Sequence, residues 1–162
     1  MTSSSVNISF RLAEKSDLVK LHALELDAFG EPAYPIFLFR QAIDLWPQLL
    51  WVASDGAELL AYVLLAPAAA NPHELSLMSF GIASQAQGQG LGKRLLAHIQ
   101  TELLRYDPQL QQVWLTVKPS HTAAVRLYQN AGFVETARES DYYGPDTDRL
   151  VLTWHCQQVK KS

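Results

Sequence analysis

The sequence of 162 residues has one cysteine, no long apolar run and no excess of positive charge. Because Cys156 has no partner within the chain, a disulfide scaffold is excluded, and a single free thiol agrees with a cytoplasmic location. The longest apolar stretch, residues 59–70, has 12 residues and contains Pro67. A membrane-spanning helix needs about 20. Residues 1–5 have neither a basic region nor an apolar run, so we expect no secretory signal.

The charge balance is slightly acidic. Thirteen Lys and Arg residues stand against 16 Asp and Glu residues, which gives a formal net charge of −3. Nucleic-acid binders usually carry a basic patch, so this balance argues against them. The apolar content of 48% with a low net charge excludes intrinsic disorder. A chain of this length forms about one domain and buries about two-thirds of its unfolded surface. We predict no nucleic-acid partner, no membrane partner and no metal site.

Hydrophobic periodicity predicts an α/β fold in which strands and helices alternate. The predicted strands cover residues 8–12, 50–53, 59–66, 75–82, 113–117, 133–136 and 150–154. The predicted helices cover residues 18–28, 36–45, 90–106 and 122–131. Ser16 and Asp17 offer caps for the first helix, and Gly132 ends the last one.

The most informative stretch, residues 87–94, reads Gln-Gly-Gln-Gly-Leu-Gly-Lys-Arg between a predicted strand and a predicted helix. Free N–H groups at a helix start bind anions, and glycines allow a phosphate to approach the backbone. A P-loop needs four residues between its glycines and then Ser or Thr after Lys, whereas Gly88 and Gly92 enclose three and Arg94 follows. A dinucleotide-binding loop needs glycine where Lys93 stands. Both nucleotide-binding spacings therefore fail, and a turn without a ligand is the alternative.

A second informative segment lies in the predicted helix 122–131. Ala124, Leu127, Tyr128 and Ala131 share one face of this helix, where Tyr128 is the only large polar group. A core tyrosine whose hydroxyl bonds the backbone is the alternative to a functional role.

Taken together, the two segments resemble the GNAT acetyltransferase superfamily. Gln87-x-x-Gly90-x-Gly92 resembles its acyl-CoA pyrophosphate loop, and Ala124-Val125-x-Leu127-Tyr128-x-x-x-Gly132-Phe133 resembles its second motif. The chain is most similar to the branch of ribosomal-protein alanine and other protein N-terminal acetyltransferases. This resemblance, over residues 8–154, implies one GNAT-like domain (residues 6–156) between tails at 1–5 and 157–162. It implies a mixed, mostly antiparallel sheet of about six to seven strands flanked by about four helices.

The resemblance also implies acetyl-CoA or CoA as the cofactor. Backbone groups of residues 80–82 would pair with the pantetheine arm, and the N–H groups of residues 87–92 would hold the pyrophosphate. Lys93 or Arg94 would add positive charge. The implied cofactor-binding residues are Phe80, Gly81, Ile82, Gln87, Gly88, Gln89, Gly90, Leu91, Gly92, Lys93, Arg94, His121, Ala124 and Tyr128.

For catalysis, the resemblance implies that Tyr128 protonates the departing CoA thiolate. The ordinary tyrosine pKa of about 10 lies near the thiol value of about 8.5. Family members usually have Asn where His121 stands, so His121 either replaces it as a donor or only begins the helix. They often carry the base on the preceding strand, at the position of Thr116, which is not basic. The remaining base candidates are Glu74, His73, His121 or a bound water, and each side chain is otherwise a solvated loop residue.

For the acceptor, residues 141–145 (Asp-Tyr-Tyr-Gly-Pro) resemble the paired-tyrosine loop with which N-terminal acetyltransferases hold the substrate backbone. Residues 29–34 would form the opposite wall. The implied acceptor-binding residues are Phe29, Tyr34, Ser76, Thr116, Tyr142 and Tyr143. An ordinary aromatic hairpin is the alternative, and the slightly acidic composition would suit a basic acceptor.

We therefore predict a cytoplasmic, acetyl-CoA-dependent N-acetyltransferase that acts on a primary amine, with a peptide N-terminus favoured over a small amine. The alternatives are a small-molecule amine acetyltransferase of the same fold and a non-catalytic acyl-CoA-binding regulatory protein. The protein is a monomer or a homodimer. The acceptor, the acyl chain and the general base are left open by the sequence.

Overall fold

The computed structural model describes residues 7–156, so the predicted tails at 1–5 and 157–162 lie outside the described residues. The strands are β1 (Ser9–Leu12), β2 (Leu50–Ser54), β3 (Leu59–Pro67), β4 (Glu74–Ile82), β5 (Gln112–Val117), β6 (Val134–Glu139) and β7 (Arg149–His155). The helices are α1 (Leu18–Phe29), α2 (Ile36–Leu45), α3 (Leu91–Tyr106) and α4 (Thr122–Asn130). Each predicted strand and helix is present, and only β6 runs clearly past its predicted end.

The seven strands form one open sheet in the order β1-β2-β3-β4-β5-β7-β6. β4 and β5 run parallel, with Glu74 opposite Gln112. The β1–β2, β2–β3, β5–β7 and β6–β7 pairs are antiparallel. A mixed, mostly antiparallel sheet and four helices therefore make a single α/β domain, and the predicted fold class is confirmed.

Within this domain the chain forms two compact units. The first unit contains the described residues through Leu65 together with Met78–Leu95. The second unit contains Ala66–Leu77 and the described residues from Leu96 onward.

The core of the first unit is centred on β2 and β3. All of β2 and the first eight residues of β3 are buried, which explains why their sequences are apolar runs rather than alternating patterns. Phe39 of α2 meets the ring of Tyr62 edge-on, with the ring centres 5.4 Å apart. Burying a side chain of this size contributes about 1.5–3 kcal/mol to stability.

The core of the second unit is centred on β5. Val113, Leu115 and Val117 are buried, whereas the alternate residues Trp114 and Thr116 are only half-buried. This alternation is that of a strand with one face on the core and the other face less covered. Thr116 therefore belongs to the more accessible face.

In the longest helix, α3, the regularly spaced apolar residues that predict the helix are the ones that the structure buries. Leu91, Leu95, Ile99 and Leu103, which recur every four residues, are all buried. Between residues 7 and 156, none of the helices has the length and apolar character needed to cross a membrane.

Candidate active site

The glycine loop (residues 87–92) belongs to the first unit and joins the short turn Ser84–Ala86 to the start of α3. Gly88 and Gly90 have φ angles of 75° and 76°, which residues with a Cβ rarely adopt. A Cβ placed at either glycine would meet nothing within 4 Å. Glycine is therefore required at these two positions because of the positive φ angles, and not because neighbouring atoms leave no room for a Cβ.

The backbone of the glycine loop offers unused hydrogen-bond donors. Arg94 N–H donates to the Gly90 carbonyl at 3.2 Å and begins the helical pattern. Within the described part of the chain, the N–H groups of residues 88–93 have no acceptor. Free N–H groups at a helix start carry the positive end of the helix dipole. The loop therefore has the donors that an anion such as a phosphate needs.

The polar side chains of the glycine loop serve mainly to brace it. Gln87 Nε2 donates to the Ile82 carbonyl at 3.3 Å, and Gln89 Nε2 donates to the Gln85 carbonyl at 3.2 Å. The exposed Arg94 side chain lies over the Phe10 ring, with its central guanidinium carbon 5.5 Å from the ring centre. The neighbouring Lys93 is exposed.

The end of β4, residues 80–82, also lies in the first unit. Phe80 and Ile82 are half-buried, and Gly81 is buried between them. A Cβ at Gly81 would lie 2.6 Å from Cε1 of Tyr62, which is closer than any side chain can come. Gly81 is therefore required because it packs against Tyr62, a reason that no local sequence pattern reveals.

A buried polar cluster in the first unit was not predicted from the sequence. Glu25, which is 2% exposed, accepts a hydrogen bond from the hydroxyl of the fully buried Tyr62, and that hydroxyl also lies 2.5 Å from Ser79 Oγ. Glu25 also accepts the Tyr34 N–H at 3.0 Å. Burial raises the pKa of Tyr62 far above its ordinary value, and the hydrogen bond to Glu25 raises it further. The cluster thus fixes the loop that contains Tyr34, while Phe29 at the end of α1 stays exposed.

Tyr128 lies in the second unit, on α4, and is 8% exposed. Its ring packs edge-on against Phe133, with the ring centres 5.7 Å apart. Burial raises the pKa of Tyr128 well above its ordinary value, and the positive charge of Arg149 partly opposes this. The expected match between the tyrosine and thiol pKa values is therefore wrong for this environment, because burial disfavours the tyrosinate.

Arg149, at the start of β7, joins two of the predicted acceptor-binding residues in the second unit. Its Nε donates to Thr116 Oγ1 at 3.2 Å, and its Nη2 donates to the Thr116 carbonyl at 3.0 Å. Its central guanidinium carbon lies 5.4 Å from the ring centre of Tyr143. Sequence reasoning missed Arg149, because a single basic residue before an apolar strand carries no motif.

The paired-tyrosine loop is an ordered turn in the second unit. Tyr142 N–H donates to the Thr147 carbonyl at 3.1 Å, and Tyr143 N–H donates to Thr147 Oγ1 at 2.8 Å. The two tyrosine rings meet edge-on at 4.8 Å, and Tyr143 is 68% exposed. Because the turn uses both N–H groups, these residues have rings and hydroxyls, not backbone donors, to offer a substrate.

Glu74 lies at the far end of the β4–β5 pair from Thr116, and Ser76 lies two residues nearer to it. Glu74 is opposite Gln112, whose Nε2 donates to Glu74 Oε1 at 2.9 Å. Ser76 is opposite Trp114. Thr116 is four residues beyond Gln112, which corresponds to roughly 13 Å along a strand. The strand register therefore separates Glu74 from the Arg149 contacts.

The two histidine candidates have different surroundings in the second unit. His121 is the exposed residue before α4 and makes no capping hydrogen bond through its side chain. Ala124, in the first turn of α4, is half-buried. His73 Nδ1 lies 3.2 Å from Asp107 Oδ2, so this histidine already has a carboxylate partner.

Comparisons with known proteins agree with this fold. The family model described as the acetyltransferase (GNAT) family matches residues 18–133. The [ribosomal protein bS18]-alanine N-acetyltransferase of Escherichia coli (strain K12) is 37% identical over 75 residues, which is 46% of this chain and 49% of that protein. N-alpha-acetyltransferase 30 of Xenopus laevis is 27% identical over 146 residues, which is 86% of this chain and 50% of that protein. The matched segments thus span about half the length of these relatives.

Two solved structures share the fold. The crystal structure of the ribosomal-protein-S18-alanine N-acetyltransferase from Escherichia coli has a TM-score of 0.80 and 21% identity, covering 96% of this chain and 98% of that chain. The NatC complex bound to Gag peptide and CoA has a TM-score of 0.78 and 19% identity, covering 92% of this chain and 98% of that chain. At these identities the likeness shows the fold alone.

Proposed function

Because the chain belongs to the acetyltransferase (GNAT) family, we propose that it transfers an acetyl group from acetyl-CoA to a protein N-terminal α-amine. The observation that carries the proposal is the glycine loop, with its unused N–H groups at the start of α3. The names of the two relatives, which act on a ribosomal-protein alanine and on α-amines, support this acceptor.

The glycine loop fits the pyrophosphate of CoA. The N–H groups of residues 88–93 would donate to the phosphate oxygens, and the positive φ angles of Gly88 and Gly90 shape the backbone around them. Such a site needs no basic surface, so the net charge of −3 does not oppose it. The backbone of residues 80–82 would hold the pantetheine arm. Bound acetyl-CoA would supply the activated acetyl group.

Tyr128 is the proposed proton donor. In the transfer, the bond between the amine nitrogen and the acetyl carbon forms and the carbon–sulfur bond breaks. The nitrogen loses a proton to water, and the sulfur takes up a proton from Tyr128. The Tyr128 hydroxyl is protonated at neutral pH, because its ordinary pKa of about 10 is raised further by burial. The nearby charge of Arg149 favours the tyrosinate that is left behind.

The lack of a base at Thr116 favours an α-amine as the acceptor. At pH 7, removing a proton from an α-amine of pKa near 8 costs about 1.4 kcal/mol, but about 4.6 kcal/mol for a lysine side chain. An α-amine therefore needs only a weak base. Thr116 Oγ1 accepts a hydrogen bond from Arg149, and the roles of Glu74 and His121 stay predictions.

The proposal is tested by thiol release from acetyl-CoA with a panel of N-terminal peptides, lysine-containing blocked peptides and polyamines. We expect release with unblocked peptides, and mass spectrometry should locate the acetyl group on the α-nitrogen. Calorimetry with CoA tests the cofactor separately. Failure to bind any acyl-CoA would overturn the proposal.

A non-catalytic acyl-CoA-binding regulatory protein is the second candidate. The raised pKa of Tyr128 favours it, because a weak acid donates its proton less readily to a thiolate. Tight CoA binding without thiol release on any amine would support this candidate and exclude the first.

A further inference from the structure

Arg149 holds a positive charge in a defined position on the second unit. Two of its N–H groups donate to the oxygens of Thr116, at 3.2 and 3.0 Å. The guanidinium also lies over the ring of Tyr143, at 5.4 Å from the ring centre. These contacts from two different segments restrict the rotation of a side chain that would otherwise be flexible.

The hydrogen bonds of Arg149 use only one edge of the guanidinium. A guanidinium carries five N–H donors that form two forks, and Thr116 takes the fork made by Nε and Nη2. Among residues 7–156, no acceptor lies against Nη1. The fork between Nη1 and Nη2 is therefore open, and two parallel N–H donors match the geometry of a carboxylate.

No carboxylate in the described part of the chain forms an ion pair with Arg149. Glu139 is directly opposite Arg149 in the β6–β7 pair, yet the guanidinium turns to Thr116 instead. The carboxylates of the neighbouring loop bond to backbone groups: Asp141 accepts the Asp146 N–H at 2.9 Å, and Asp148 accepts the Asp141 N–H at 3.2 Å. The charge of Arg149 is thus available to an anion from outside the chain.

Both partners of the guanidinium are residues that the family resemblance assigns to the acceptor. We propose that Arg149 binds a carboxylate of the acceptor, so that the enzyme selects amines with a carboxylate close to the reacting nitrogen. This inference rests on the proposed function and names its substrate class. The proposed acceptor carries a negative charge, whereas the net charge of the chain suggests a basic acceptor. The fixed charge of Arg149 outweighs the net charge, because it acts at contact distance and dispersed surface charges are screened by salt.

The carboxylate has two possible sources, an acidic side chain next to a peptide N-terminus or the terminal carboxylate of a small amino compound. Two substrate pairs distinguish them. The first pair is two peptides with amidated C-termini that begin Ala-Glu and Ala-Gln. The second pair is the free dipeptide Ala-Gly and its amide. Within each pair the α-amine is nearly the same, so a difference in kcat/KM reports the carboxylate.

We expect the full chain to favour the carboxylate member of one pair by at least about tenfold in kcat/KM, as a charged hydrogen bond warrants. Arg149→Gln should bring that ratio close to one. Arg149→Lys should keep part of it, because it retains the charge but not the fork. Arg138→Gln is the matched control: it removes an exposed charge from neighbouring β6, where Arg138 faces Asp148 at 3.8 Å. It should leave the ratio unchanged.

Equal kcat/KM values within both pairs, or a preference that survives in Arg149→Gln, would overturn the inference and leave the proposed function intact. If CoA binds in calorimetry but neither the four substrates nor any member of the peptide and polyamine panel is acetylated, the proposed function fails and the inference fails with it. CoA affinity equal to that of the unmodified chain shows that each variant is folded.

Discussion

The glycine loop of the first unit and the Arg149 cluster of the second unit (Thr116, Tyr143 and Arg149) are made from different chemical groups. The glycine loop offers backbone N–H groups and needs two glycines for their φ angles. The Arg149 cluster consists of side chains held by one another. Truncating a side chain should therefore matter most in the second unit, and changing backbone conformation should matter most in the glycine loop.

The largest effect is expected from Tyr128→Phe in the second unit. Loss of the proton donor should lower kcat by about 10²- to 10⁴-fold and leave CoA affinity unchanged, because general acid catalysis contributes that much. Since burial raises the pKa of Tyr128, the donor stays protonated and activity should not fall between about pH 8 and 10. Steady-state kinetics over this range, with calorimetry for CoA, provide the measurement.

The control for Tyr128→Phe is Tyr106→Phe, which removes a hydroxyl from an exposed residue at the end of α3. It should leave kcat as it is. If the kcat of Tyr128→Phe lies within twofold of that of the unmodified chain, Tyr128 is not the proton donor, and another group protonates the thiolate.

The next effect is expected from Tyr62→Phe, which shows how far the first unit also depends on side chains. The variant removes the hydroxyl that bonds Glu25 and Ser79, and it leaves a buried carboxylate with one partner fewer. An unsatisfied buried polar group costs about 1–3 kcal/mol, so the free energy of unfolding should fall by that amount. Equilibrium urea unfolding measures it, and an unfolding free energy equal to that of Tyr106→Phe would contradict the prediction.

How much the sequence could predict depends on how local each feature is. The α2 helix lies at residues 36–45 as predicted. The signals that predict it, which are its apolar spacing and the flanking Pro35 and Pro47, stand next to one another in the sequence. The close contact between Gly81 and Tyr62 joins positions 19 residues apart, and the bond between Glu25 and Tyr62 joins positions 37 apart. No local pattern encodes such contacts.

The Tyr128 pKa could not be predicted from the sequence for the same reason. Its shift comes from burial and from the charge of Arg149, which is distant in sequence. The helix face that carries Tyr128 was predictable from spacing alone, but the polarity of its surroundings was not. Electrostatic environment is a property of the packed structure.

A smaller effect is expected from Gly90→Ala in the glycine loop. A Cβ at a positive φ costs about 1–2 kcal/mol, so the loop should leave its conformation and CoA affinity should fall about tenfold. Gly56→Ala is the matched control, because Gly56 also has a positive φ and open space around it but lies in the β2–β3 turn. It should lower the melting temperature similarly and leave CoA affinity unchanged.

A side-chain variant at Lys93, directly after the glycine loop, completes this test. Lys93→Ala removes an exposed charge, and we expect less than about threefold loss of CoA affinity. If Lys93→Ala weakens CoA binding more than Gly90→Ala does, the glycine loop works through charge, and its contrast with the Arg149 cluster is lost.

The smallest effect is expected from Asp27→Asn, which loosens the segment before the glycine loop. Asp27 accepts the Ser84 N–H at 2.8 Å and the Ser84 hydroxyl at 2.9 Å. The backbone hydrogen bond from Ser84, with the bond from its hydroxyl, lowers the pKa of Asp27. Its stabilising contribution is therefore present above the ordinary carboxyl pKa and disappears as the pH falls through the lowered value.

The pH dependence separates this effect from a general loss of packing. At pH 7 the melting temperature of Asp27→Asn should lie slightly below that of the unmodified chain, and the difference should shrink as the pH is lowered past about 4. Asp44→Asn, whose carboxylate pairs with Arg40 one turn away on α2, controls for loss of an exposed charge. A difference for Asp27→Asn that persists undiminished into acid would mean that the carboxylate charge does not hold Ser84. The start of the glycine loop would then depend on its backbone conformation alone.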